Sequence, residues 1–178
     1  MPKGYDPYPY NPTKAKALLK AAGFPNGLTL KFLYRPAAIA SVKVFQTMQA
    51  DRAPVTIKLV GVGVPNADFY AKYLLVGKPV ASTGSWDVSL AGWGPDWYGD
   101  AAASFFEPLF YGAPSYPPVG SDFGLYNDAK VNRLISKAAA TGSASAAAAP
   151  WAQADQQVMK DAPFYPIRQQ LESDYYAS

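Results

Sequence analysis

The chain has 178 residues, 49% hydrophobic and 15% aromatic, with 17 prolines and neither cysteine nor histidine. It is long enough for one domain with a real core. Its composition excludes disulfide frameworks, zinc-thiolate sites, thiol nucleophiles, imidazole ligands and histidine-dependent triads. The net charge of +3 comes from 16 basic and 13 acidic side chains, scattered without the basic stripe that nucleic-acid binding requires.

Residues 1–10, rich in Tyr and Pro, predict an extended lead-in. Asn11-Pro12 opens a helix, with Asn as cap and Pro at the first helical position. Ala15, Leu18, Leu19 and Ala22 form its apolar face, and Gly23 ends it. Leu28, Leu30, Phe32 and Tyr34 alternate with Thr29 and Lys31 as a first strand. A second helix is expected over 37–52, with Ile39, Val42 and Phe45 inward, broken by Ala53-Pro54. Val55, Ile57 and Leu59 start a second strand that runs to Val62. Phe69, Tyr73 and Val76 mark a third, shorter helix.

Residues 77–85 read as a loop, and Trp86 to Ala91 as a third strand centred on Val88 and Leu90. Asp100 caps a short helix expected to run through Phe106 and end at Pro108. Residues 111–125 form a long loop. Asn127 or Asp128 caps a further helix with Val131, Leu134, Ile135 and Ala138 inward. Ser143–Ala149 is either a flexible link or a weak helix start. Pro150 is expected to delay or kink the helix that holds Trp151, Ala154 and Val158. Pro163 to Arg168 closes as an extended segment. Strands alternating with helices imply an α/β layer with a mostly parallel sheet. No run of about 18 apolar residues suggests a membrane span. Residues 1–5 do not open an apolar leader, which fits a cytoplasmic protein or a piece of a secreted one.

In open α/β sheets, ligands gather at the carboxyl ends of strands. The segment Gly92–Gly99 follows the third strand and carries Trp93, Asp96, Trp97 and Tyr98 between glycines. Indoles and a phenol offer flat apolar walls, and a carboxylate among them fixes a cation. These residues are the candidate binding set. The competing reading has Trp93 and Trp97 plugging the core and Asp96 capping a turn. Other acids have plainer readings: Asp100 as a cap, Glu107 as surface charge, Asp68 as a helix-start acid. Asp87, Asp96, Asp100 and Glu107 also admit a carboxylate pair for hydrolysis. Arg35 follows the first strand and faces either a cleft or solvent. Tyr111, Tyr116 and Tyr126 either line a pocket or pack the long loop. Gly61-Val62-Gly63 lacks a dinucleotide fingerprint, and Asn11-Pro12-Thr13 is no glycosylation acceptor.

Taken in order, five segments resemble one family. Asn11–Phe24 (NPTKAKALLKAAGF) is similar to its "NPEKAKALLAEAGY" segment. Trp86–Asp100 (WDVSLAGWGPDWYGD) is similar to "YDLALLGWGADYPD". Phe105–Phe110, Tyr126–Ile135 and Ala162–Ile167 resemble its "FLSPLF", "YSNPEVDALI" and "APVIPLY" stretches. The family is the family 5 extracellular solute-binding proteins, the dipeptide- and oligopeptide-binding components of ABC importers.

The resemblance implies one lobe of a type II periplasmic-binding-protein-like fold over residues 1–178. This would be the carboxyl-terminal lobe of a longer two-lobed protein, with 169–178 a severed crossover segment. It implies a non-enzymatic protein without cofactor, which captures an extended peptide or other small solute by lobe closure. The partners implied are an amino-terminal lobe and an ABC permease. The location implied is extracellular or periplasmic, tethered to the membrane by an anchor outside this chain. By the same resemblance Asp96 pairs with the ligand's free α-amino group, and Trp93 lines the pocket beside Trp97 and Tyr98. Pro95 and Trp97 make this loop stiffer and bulkier than the family pattern. The alternatives are an oligosaccharide-binding protein, or a small carbohydrate-active hydrolase using Asp96 with Asp100 or Glu107.

Overall fold

Residues 5–75, 85–94 and 101–167 are described by the computed structural model. The first helix, α1 (Pro12–Ala21), starts where Asn11 Oδ1 accepts the Lys14 N–H at 2.9 Å. It ends before Gly23, whose φ of +89° suits a left-handed exit. None of its residues is buried, and Leu18 is 57% exposed. Its predicted apolar face therefore exists without a cover: only Ala15 and Leu19 are half-buried.

Strand β1 (Leu28–Tyr34) is the middle of a three-stranded parallel sheet. On one side it pairs with β2 (Ile57–Gly63), from Leu28 opposite Ile57 to Tyr34 opposite Gly63. On the other it pairs with β3 (Val88–Ser89), Phe32 opposite Val88 and Leu33 opposite Ser89. A central parallel strand is covered on both faces, so the consecutive residues Phe32 and Leu33 are both buried. Phe32 joins Phe45 and Leu59 on one face, while Leu33 joins Val64, Phe69 and Leu74 on the other.

The third strand is shorter than the expected 86–91. Asp87 N donates to Lys31 O at 2.9 Å, and the Asp87 carboxylate accepts the Lys31 N–H at 2.7 Å. A side-chain acceptor thus replaces the ladder carbonyl and ends regular pairing.

Helix α2 (Ile39–Arg52) supplies Phe45, whose ring stacks on Phe32 at 5.3 Å and on Tyr34 at 4.8 Å. Gly61 makes room for that stack, because a Cβ there would lie 2.8 Å from Phe45. Ile39, expected inward, is 74% exposed. The helix begins only at that residue, so its first turn overhangs the sheet. After β2, a turn at Asn66–Asp68 runs into a π-helical segment, Phe69–Leu74. The wider turn puts residues five apart on one face. Phe69 and Leu74 are therefore the buried pair, and Tyr73 is only half-buried. Val76 and most of the 77–85 loop lie outside the described residues.

Three helices form a second core. They are α3 (Ala101–Phe110), α4 (Ala129–Ala139) and α5 (Ala144–Asp161). Phe106 and Phe110 meet Val131, Ile135, Ala147, Trp151, Ala154 and Val158. The Phe106 and Trp151 rings stack at 5.5 Å. Asp128 caps α4 through the Val131 N–H at 2.8 Å. Ser143 caps α5, so Ser143–Ala149 is a helix start, and Pro150 sits buried inside the helix.

Helix α3 likewise runs through Pro108, which was expected to end it. A proline inside a helix costs about 3 kcal/mol when the carbonyl four residues back loses its donor; here that carbonyl has another donor, described below. Asp100, the expected cap of α3, lies outside the described residues, as do 169–178. Together these elements form an α/β fold with a parallel sheet flanked by helices.

Candidate binding face at the carboxyl ends of the sheet

The order β2-β1-β3 creates a switch point. The chain leaves β1 toward β2 on one side and later crosses to β3 on the other. Between the carboxyl ends of β1 and β3 the connections diverge, which is where open α/β sheets hold ligands. The residues that converge there are Arg35, Phe69, Tyr70 and the segment Gly92–Gly94.

Arg35 follows the last residue of β1. Its backbone N–H donates to the hydroxyl of buried Ser41 at 3.1 Å, which fixes where the side chain departs. The guanidinium carbon lies 4.8 Å from the Phe69 ring centroid and 5.8 Å from that of Tyr70. Its Nε is buried and makes no hydrogen bond among the described residues. The two rings meet edge-on, with centroids 5.0 Å apart. Aromatic faces are attractive to a cation and keep water off one side of it. The fixed result is a positive charge seated on an apolar platform.

Trp93 stands in the loop after β3 and is 39% exposed. It does not plug a core. Its indole N–H donates to Ser104 O in α3 at 2.9 Å, which leaves part of the ring open to a ligand. Gly92 N donates to the Tyr70 hydroxyl at 3.3 Å, tying the same loop to the platform. Trp86 is anchored from behind by its indole N–H on Tyr73 O at 3.1 Å.

Asp96, Trp97 and Tyr98 lie outside the described residues, as does Asp100. Two of the remaining acids have structural tasks. Asp87 serves the β1 ladder, and Asp68 pairs with Lys72 at 2.9 Å. Glu107 is half-buried, and its backbone carbonyl accepts the Ser115 hydroxyl at 2.5 Å. The loop tyrosines are likewise committed. Tyr111 bonds the Ser136 hydroxyl at 2.8 Å, Tyr116 donates to Leu125 O at 3.1 Å, and Tyr126 donates to the Asp161 carboxylate at 2.7 Å. Burial and that acidic partner push the Tyr126 phenol upward. These three pack the loop and the helices.

Two features were not singled out in the sequence. Tyr70 has no distinguishing signal beyond its place beside Phe69. Asp122 sits in an irregular loop, yet it is only 3% exposed. Burial pushes its carboxyl up to about 7, against backbone N–H groups of Tyr126, Leu125 and Gly124 that favour the anion. Phe123 beside it packs on Tyr70 at 6.2 Å, joining the long loop to the candidate face. A separate polar basin of about 320 Å³, lined by Tyr5, Lys130, Gln153, Gln156, Gln157 and Lys160, includes none of the switch-point residues.

The arrangement suits holding a solute: apolar walls, one fixed cation, and loop backbone at a sheet edge. Residues 1–117 match the family described as "Bacterial extracellular solute-binding proteins, family 5 Middle". The glutathione-binding protein GsiB of Pectobacterium atrosepticum is 30% identical over 160 residues, which are 90% of this chain and 30% of that protein. Heme-binding protein A of Haemophilus influenzae is 29% identical over 164 residues, 90% of this chain and 28% of that protein. The periplasmic binding protein DppA of Helicobacter pylori, solved with the peptide STSA, superposes with a TM-score of 0.76 at 25% identity. That match covers 92% of this chain and 31% of DppA. The chain thus spans about a third of the length of these relatives. It belongs to the bacterial extracellular solute-binding proteins, family 5.

Proposed function

We propose that this chain forms one lobe of an ABC importer's solute-binding protein, and that the face around Trp93 and Arg35 is one wall of its cleft. The observation that carries this reading is the half-open indole of Trp93, tethered by its N–H at the switch point rather than buried. A second lobe supplies the opposite wall, and hinge closure buries the solute between them. The solute is a short, extended peptide. Relatives named for glutathione and solved with a tetrapeptide support that class.

Asp96, three residues beyond Trp93, takes the ligand's ammonium group, and Trp97 and Tyr98 extend the aromatic wall. A desolvated pair of this kind is worth roughly 2–5 kcal/mol when one partner is removed. Arg35 supplies the opposite charge for an anionic end of the same ligand. The protein carries out no reaction. It works outside the cytoplasm, tethered to the membrane, and delivers its solute to a permease. This chain alone offers one wall and binds peptide weakly.

Titration of the full-length protein with trialanine tests the reading. Replacing Trp93 with Ala should weaken binding at least about tenfold, or 1.4 kcal/mol. Unchanged affinity would remove Trp93 from the cleft wall.

A further inference from the structure

We propose that Pro108 is a positioning residue for Trp93. This rests on the reading of Trp93 as a cleft wall, and it concerns how the ring is held there. In an α-helix the N–H of residue 108 bonds the carbonyl of residue 104. Pro108 has no N–H, and its ring presses that carbonyl out of line. Helix α3 nevertheless continues to Phe110. The indole N–H of Trp93 donates to this same carbonyl, Ser104 O, at 2.9 Å. Ser104 is itself held, 3% exposed, with its hydroxyl on Ala101 O at 3.0 Å. The acceptor is therefore rigid and aimed at the loop.

The described part of the loop, up to Gly94, is open around Trp93. Gly92 and Gly94 flank Trp93, and a Cβ on either would meet nothing within 4 Å. Among the described residues, the indole bond and the Gly92 bond to Tyr70 tie this segment to the fold. A helix defect next to the sheet end thus supplies the docking point for a solute-facing ring. The Pro108 carbonyl also accepts the Ser121 N–H at 3.0 Å, so the same residue is anchored from the long loop.

Pro108→Ala tests this in the full chain. It supplies an N–H for Ser104 O and so competes with the indole. The readout is exchange of the Trp93 indole proton with solvent, followed by nitrogen-15 NMR and assigned by its loss in Trp93→Phe. The expected result is exchange at least tenfold faster than in the wild type, while the thermal midpoint holds or rises. A merely structural proline would leave indole exchange unchanged, and that result would overturn the proposal. Pro108→Ser supplies the same N–H if the alanine variant does not fold. No solute is present, so the outcome is separate from that of the Trp93→Ala titration.

Discussion

The guanidinium carbon of Arg35 lies 4.8 Å from the centroid of Phe69, a ring with no solvent exposure. A charge from the end of β1 is thereby fixed at the carboxyl end of the sheet. Phe69→Leu is expected to lower unfolding stability by about 1–3 kcal/mol, from lost packing and lost cation–π attraction. Arg35→Met, which keeps the stem and removes the charge, should cost about 0.5–1 kcal/mol. Urea unfolding of the single and double variants gives their coupling. A coupling of about 0.5 kcal/mol or more is predicted, and strict additivity would mean that the ring does not hold the charge.

Gly61 tests the sheet packing. A Cβ there would approach Phe45 to 2.8 Å and the Tyr34 ring to 2.9 Å. Gly61→Ala should destabilise by about 1–3 kcal/mol through overpacking. A denaturation midpoint equal to the wild type would show that the Phe45 stack can yield without cost.

The buried carboxyl of Asp122 gives a pH dependence with a definite sign. Its ordinary value is 3.8, and burial raises it to about 7 in the folded chain. The folded state therefore binds the proton more tightly than the unfolded one. The stabilisation is full below about pH 4 and is lost as pH rises through 7. Tyr126 N donates to Oδ1 at 3.1 Å, while Oδ2 is buried without a hydrogen bond among the described residues. Asp122→Asn should flatten the stability profile between pH 4 and 7. An unchanged slope in that variant would assign the dependence to other groups.

The legible parts of the fold are those with local chemistry. Asn11 and Asp128 cap α1 and α4, as their side chains and positions indicate. The alternation of β1 predicts Phe32 inward, but not Leu33, because burial on both faces depends on what packs later in the chain. Periodicity marks Leu18 as part of an apolar face without saying what covers it. Pro108 misleads as a helix end because a proline's cost depends on whether the carbonyl it frees finds a partner elsewhere in the fold. For Pro108 that partner is the Trp93 indole, fifteen residues earlier. The position of Trp93 at the end of the sheet follows from its place after a strand. Arg35 becomes informative only once the strand order sets β1 beside β3.

The proposed cleft takes a peptide with a free amino end, and Asp96 is proposed to hold that end. Calorimetric titration of the full-length protein with trialanine and with its amino-acetylated form tests it most directly. Acetylation is expected to weaken binding by about 30-fold or more, equivalent to at least about 2 kcal/mol, and Asp96→Asn to abolish the difference. Equal affinity for the two peptides in the wild-type protein would contradict it.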